Sequence, residues 1–355
     1  PSTMKPTSGH LSVTPGLCLL IAIAAAFEVL GRLLFPNFDA SYLLYGARFY
    51  MQHREPWMDV WPGIDFLQGN ISLILGSPEA SILILGISIN VAAVLVVNQL
   101  FCIYQAPRSN RFAAVLVTAA FFMPPLGGWT TDHITYMVAL SPAFSFSISR
   151  FRVTPFVASL MAISLAYGLT LKLNNFVPGY FFSLLWIASA SSVSRALFHA
   201  KDKHKYLSRH VFLVGIFFIV LLFSVILLTS LIALPGGLYP SIYSTYKLVL
   251  QSTASGQFSP ERLFRVPLQI DFIEAIRSWQ PGVLVFLPLV ILFWSAVTRS
   301  LILVFSRTSG ALQIQRHSVA IMLMGATSIV CFGLGRGLSH RLFLLPAGIL
   351  LSYSD

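Results

Sequence analysis

The chain predicts an all-α, polytopic transmembrane bundle of about ten crossings, and three observations carry that expectation. Hydrophobic residues make up 56% of its 355 residues and charged residues only 10%, against roughly 25% charged in soluble domains. Mean hydropathy is +0.78. Apolar runs approaching the ~20 residues that a membrane-crossing helix needs recur throughout. Such a composition excludes a cytosolic enzyme, a disulfide scaffold and a disordered protein. The length accommodates the crossings and little else, so 1–355 reads as a single transmembrane domain.

The expected spans are 13–35, 80–104, 112–127, 134–150, 153–171, 176–194, 211–234, 281–304, 317–335 and 342–353. Lys5 before a Leu/Ala-rich run has the outline of a signal peptide. No convincing small-residue cleavage site follows, so the run is kept as a helix. The start at Pro1 and the short last run point to a part of a longer protein. Cys18, Cys102 and Cys331 all sit in apolar runs. They read as buried small hydrophobes, with neither a disulfide framework nor metal-ligand spacing.

Alternating the sides with the N-terminus inside gives inner segments 1–12, 105–111, 150–152, 195–210 and 299–316. They hold 13 of the 23 basic residues and one acid, Asp202. Nine of the twelve acids fall in the outer loops. This is a strong positive-inside pattern. The net charge of +11 is thereby assigned to anionic headgroups rather than nucleic acid, and the Lys-rich 199–205 stretch is a solvated inner loop. Glu28, inside the first run, is costly in lipid and should face a partner or a cavity.

Two outer loops are long, 36–79 and 235–280, and both suit short interfacial helices. In 40–53, Leu43, Ala47 and Tyr50 share one helical face, with Leu44 and Met51 beside them and Arg48 and Gln52 elsewhere. This is an amphipathic helix with Asp39 placed as its N-cap. A second apolar piece, 66–76, ends before Ser77-Pro78.

The order of residues in the first outer loop adds a further expectation. Asp39 follows the first run, then the Tyr/Leu/Ala-rich helix, then Pro56-Trp57-Met58-Asp59, then Asp65-Phe66-Leu67-Gln68-Gly69-Asn70. This resembles the first outer loop of the GT-C superfamily of polytopic glycosyltransferases. Protein O-mannosyltransferases and the lipid A aminoarabinose transferase belong to it. Trp57 replaces the Tyr of that family's Pro-Tyr-x-Asp turn, and Phe66-Leu67-Gln68-Gly69 replaces its usual Pro-containing turn. Thr131-Asp132-His133 stands where some members carry Arg-Glu-His, and Lys172 where members often carry a Leu-Lys-Pro turn. The resemblance covers about 13–200.

That resemblance implies transfer of a sugar from a polyprenyl-phosphate donor to a hydroxyl, with inversion, on the outer face of the cell (inner) membrane. The acceptor would be a glycan, a lipid or a protein. A carboxylate near the acceptor hydroxyl accepts its proton, and Asp39 is the candidate, with N-capping as its other reading. Asp59, Asp65, Asp132 and His133 form a possible acidic and polar site. Fixed cations stabilise the departing lipid phosphate. The candidates are Lys172, Arg262, Arg265, Arg336 and Arg341, with His340 between the last two; each also reads as an interfacial anchor. No cofactor and no essential metal are expected, since no strong ligand spacing occurs. Partners are the lipid-linked donor, the acceptor and membrane lipids. A transporter or flippase, a polymerase or ligase of lipid-linked glycans, and a non-catalytic membrane subunit are the alternatives. Transporters place ionisable groups near the bilayer midplane, whereas these acids are concentrated in the outer loops.

Overall fold

A computed structural model describes residues 15–34, 38–56, 62–120, 131–197, 203–231, 281–306, 309–332 and 344–354. Among them the chain is all-α, with twelve helices and no strand. In order they are α1 (Pro15–Leu34), α2 (Phe38–His53), α3 (Pro62–Leu75), α4 (Pro78–Ile103), α5 (Arg108–Ala120) and α6 (Thr131–Ile148). Then follow α7 (Pro155–Gly168), α8 (Leu173–Leu197), α9 (Lys203–Leu231), α10 (Pro281–Phe305), α11 (Ala311–Phe332) and α12 (Leu345–Ser352).

Within the described residues each expected apolar run overlaps one of these helices, and the described ends are set by local chemistry. Ser77 caps α4 by accepting from the Ala80 N–H at 3.1 Å, with Pro78 in the first turn where a missing N–H costs nothing. Gly76 just before it takes φ +67°, which turns the chain from α3 into α4. Thr154 and Pro155 repeat the device at α7. Two helical stretches, Pro78–Ile103 and Val211–Leu231, are long and apolar enough to cross a membrane. Shorter apolar stretches lie at Cys18–Gly31, Pro155–Gly168, Phe176–Ser191 and Ile291–Phe305.

Three helical groups pack together: α1 with α4 and α5, α6 with α7 and α8, and α10 with α11 and α12. The last group joins the others through α12 on α5 and α11 on α8, while α9 packs on α7. Most of α9 faces outward, with Phe218, Ile219, Leu222 and Phe223 exposed.

Inside the first group lies a buried polar junction. Asn90 of α4 donates to Ala24 O of α1 at 3.1 Å and to Ala119 O of α5 at 3.4 Å. One turn away, the buried Glu28 carboxylate packs on Gly86, where a Cβ would meet Oε1 at 2.1 Å. Glu28 thus faces protein rather than the outside of the bundle, as expected for it.

Three of the segments expected on the inner side, 105–111, 150–152 and 299–316, meet at one end of the bundle. Tyr104 O–H donates to Ser147 O at 2.6 Å, and Arg316 donates to Tyr104 O at 3.1 Å and to Ser354 O. Asn110 donates to Tyr353 O at 3.3 Å. Arg108, Arg111, Arg150, Arg152 and Arg299 stand at the same end, and no acid among the described residues joins them. It is called the basic end below.

Four expectations are corrected. The second helix begins at Phe38, so Asp39 lies within its first turn instead of capping it. Its apolar face, Leu43, Ala47 and Tyr50, is buried against α3 and α4, not spread on an interface. The reason is close approach: Gly46 and Gly69 present no side chain to the partner helix, and Tyr50 lies flat on Gly69. The third helix starts four residues early, at Pro62. Cys18 and Cys102 are exposed on helix surfaces rather than buried, because an apolar helix in this bundle buries only one side.

Candidate functional site

The end opposite the basic one is built around the α2–α3 hairpin. Gln68 of α3 donates to Leu43 O of α2 at 3.0 Å, and Asn70 donates to Tyr50 O–H at 3.0 Å. Ser72 donates to Ser81 Oγ at 2.7 Å and so ties α3 to α4. Among the described residues, Gln68 Oε1 has no hydrogen-bond partner although it is buried.

The hairpin is fixed to the turn between α7 and α8 by backbone contacts. Gly63 N–H donates to Thr170 O at 2.9 Å, and Tyr167 O–H donates to Gly63 O at 3.0 Å. A Cβ on Gly63 would fall 2.1 Å from Thr170 Oγ1, so this approach requires glycine. Two residues beyond Gly63 stands Asp65, 8% exposed, its carboxylate against Gly46 of α2. Two residues beyond Thr170 stands Lys172, half-buried. The junction therefore brings an acid and a cation from distant parts of the chain to one locality.

Position 39 stands two turns before Gly46 on the same face of α2, a rise of about 10.5 Å at ~1.5 Å per residue. For Asp39 and Asp132 the structure describes the backbone position alone, in the first turns of α2 and α6. His133 is 1% exposed at the start of α6. Its neighbour Ile134 belongs to the same hydrophobic cluster as Leu43, Ile64 and Leu171. One core thus joins α2, α3, α6 and the α7–α8 turn beneath the polar groups. Asp59, Arg262, Arg265, Arg336, His340 and Arg341 lie outside the described residues, as does loop 235–280.

At the exposed edge of this end, outside the 80–104 run, Glu79 accepts from Arg48 at 2.7 Å. Both partners are more than half exposed, so the pair trims the rim and adds little stability. Among the described residues no group of three or more His, Cys, Asp or Glu side chains is placed to hold a metal.

The sequence reading passed over Gly63, Gly46, Tyr167 and Thr170. Their signal was available in part: glycines recur at 46, 63 and 69 in segments otherwise helical, and glycine inside a helix marks close packing. Chemically, a buried carboxylate, a buried imidazole and a half-buried ammonium at one end supply proton acceptance and anion stabilisation. Comparison of this chain with family models, curated proteins and solved structures returns no match.

Proposed function

We propose that the chain is a membrane-embedded glycosyltransferase of GT-C type. It moves a sugar from a polyprenyl-phosphate donor to a hydroxyl at the end opposite the basic one, the outer face. The observation that carries the reading is the Gly63–Thr170 junction. It gathers the first-loop hairpin and Lys172 into one locality, the two parts whose sequence order resembles that superfamily. About ten crossings and a lipid-facing bundle go with this reading.

In the reaction, the acceptor oxygen bonds to the anomeric carbon as that carbon's bond to the phosphate oxygen breaks. The acceptor proton passes to Asp39, and the bonding pair leaves with the lipid phosphate. Lys172 faces the charge that grows on that phosphate, where a fixed cation has its largest effect. Asp65 is held against α2 at Gly46 and orients the helix that carries position 39. The apolar helix faces supply the groove for the lipid tail.

The test is transfer in proteoliposomes. Asp39→Asn keeps size and helix start but cannot accept the proton, so kcat should fall by about 10²–10⁴ with the donor KM little changed. Wild-type turnover by Asp39→Asn would remove the general-base role. Transfer from a nucleotide sugar without lipid carrier would overturn the whole reading.

A transport reading has one observation in its favour, the buried Glu28–Asn90 region within α1, α4 and α5. Glu28→Gln abolishing flux of a lipid-linked sugar, with no transfer by wild type, would establish it instead.

A further inference from the structure

We propose that the outer half of α6 is a hinged lid, which swings about residues 138–142 and so uncovers and closes the polar groups at the end opposite the basic one. The inference rests on the reading of that end as the transfer site and adds how the site admits its substrates.

The site is shut in this structure. His133 is 1% and Asp65 8% exposed, so neither donor nor acceptor reaches them without movement. A pivot lies in α6 itself. Pro142 stands inside the helix and has no N–H for Val138 O, its partner in a regular helix. A side chain supplies the freed carbonyl instead: Ser141 O–H donates to it at 2.9 Å. With that proton spent, Ser164 of α7 donates to Ser141 Oγ at 2.8 Å. The next carbonyl, Ala139 O, accepts from Ser183 of α8 at 2.7 Å. A hydroxyl turns about its own bond and follows a tilting carbonyl, whereas a helical N–H does not. Proline with serine donors beside it lets an apolar helix bend without leaving bare backbone. Gly179 of α8 faces Ala139, so small surfaces meet at the pivot.

The two halves of α6 differ in what they carry. The inner half ends near Ser147, which is buried and held from three sides. Tyr104 O–H donates to its carbonyl at 2.6 Å, and Trp186 Nε1–H to its hydroxyl at 3.2 Å. The Ser147 hydroxyl in turn donates to Met322 Sδ at 3.4 Å. The end of α4, α8 and α11 thus fix this half. The outer half, 131–137, carries His133, and Ile134 packs in the core beneath the site. His133, Thr135 and Tyr136 each make contacts in the closed state, and the swing breaks and remakes them. Closure over a seated donor excludes water, the role of a lid.

The experiment reads the lid on histidines, with no need for sugar transfer. The full chain in proteoliposomes is treated with diethyl pyrocarbonate, and mass spectrometry follows carbethoxylation of three imidazoles. His53 is exposed, His133 is buried on the lid and His317 is buried on α11. In wild type His133 should react more slowly than His53 and faster than His317. Pro142→Ala restores the N–H and should slow His133 relative to His53 by about two- to tenfold, the range for one hydrogen bond gained. His317 should not change. Ser183→Ala removes the tie between Ala139 O and α8 and should speed His133 by about the same factor. An unchanged His133 rate in folded Pro142→Ala overturns the proposal; where that variant does not fold, an unchanged rate in Ser183→Ala overturns it. Transfer by a wild type whose His133 is as inert as His317 overturns the lid alone. A responsive His133 without transfer overturns the proposed function and leaves the hinged helix in place.

Discussion

At the scale of residues, the glycines divide into those that permit contact and those that do not. Gly63 faces Thr170 so closely that a methyl group would overlap its side chain and approach its carbonyl oxygen at 3.1 Å. Backbone on both sides is hydrogen-bonded, so neither partner can retreat. Gly63→Ala should therefore cost about 1–3 kcal/mol, the range for overpacking a tight contact. Gly215 of α9 has nothing within 4 Å of its would-be Cβ. There alanine should be neutral or stabilising by up to ~1 kcal/mol through helix propensity alone. Thermal unfolding in detergent micelles separates the two, and a Gly63→Ala protein as stable as Gly215→Ala would show that the hairpin docks differently.

At the scale of elements, the α2–α3 hairpin is the part whose position matters most, because it carries the acids to the α7–α8 turn. Tyr167 is the side chain that holds it there from across the sequence. Tyr167→Phe keeps the ring and removes the one hydrogen bond to Gly63 O. We expect a loss of about 0.5–1.5 kcal/mol in stability. If the junction aligns the site, transfer should fall further than that loss alone explains. Turnover at full folding occupancy checks it: a rate unchanged from wild type would make the junction purely a packing feature. The elements themselves were legible in the sequence. Runs of apolar residues ending at Ser77-Pro78 or Thr154-Pro155 announce helices and their starts. The junction was not legible, since a glycine–threonine approach across more than a hundred residues leaves no local pattern. The same holds for Asn90, which reads as one polar residue in an apolar run and becomes the tie between three helices. The amphipathic face of α2 was legible, but not what covers it, because period alone does not separate a lipid surface from a neighbouring helix.

At the scale of the whole molecule, the chain is polarised. Arginines crowd one end, Asp65 and Glu79 lie at the other, and Glu28 is buried between α1 and α4. For a chain inserted as proposed, this asymmetry would set the orientation: Lys and Arg in short loops stay on the cytoplasmic side, while acids contribute little to the choice. The sequence count and the three-dimensional grouping are independent in one respect. Alternation assigns sides loop by loop, whereas Arg316, Tyr104, Asn110 and Ser354 contact one another directly at one end. A wrong assignment for any one of these loops would have separated them by the length of a helix. The orientation itself is open to a direct measurement. With Cys18, Cys102 and Cys331 replaced, single cysteines at Glu55 and at Lys203 should react with a membrane-impermeant maleimide from opposite sides of sealed vesicles. Position 55 should label from outside and position 203 only after permeabilisation. Labelling of both from one side would place the acids and the Lys-rich start of α9 on the same face. The proposed transfer site and the start of α9 would then share a compartment, which the proposed topology does not allow.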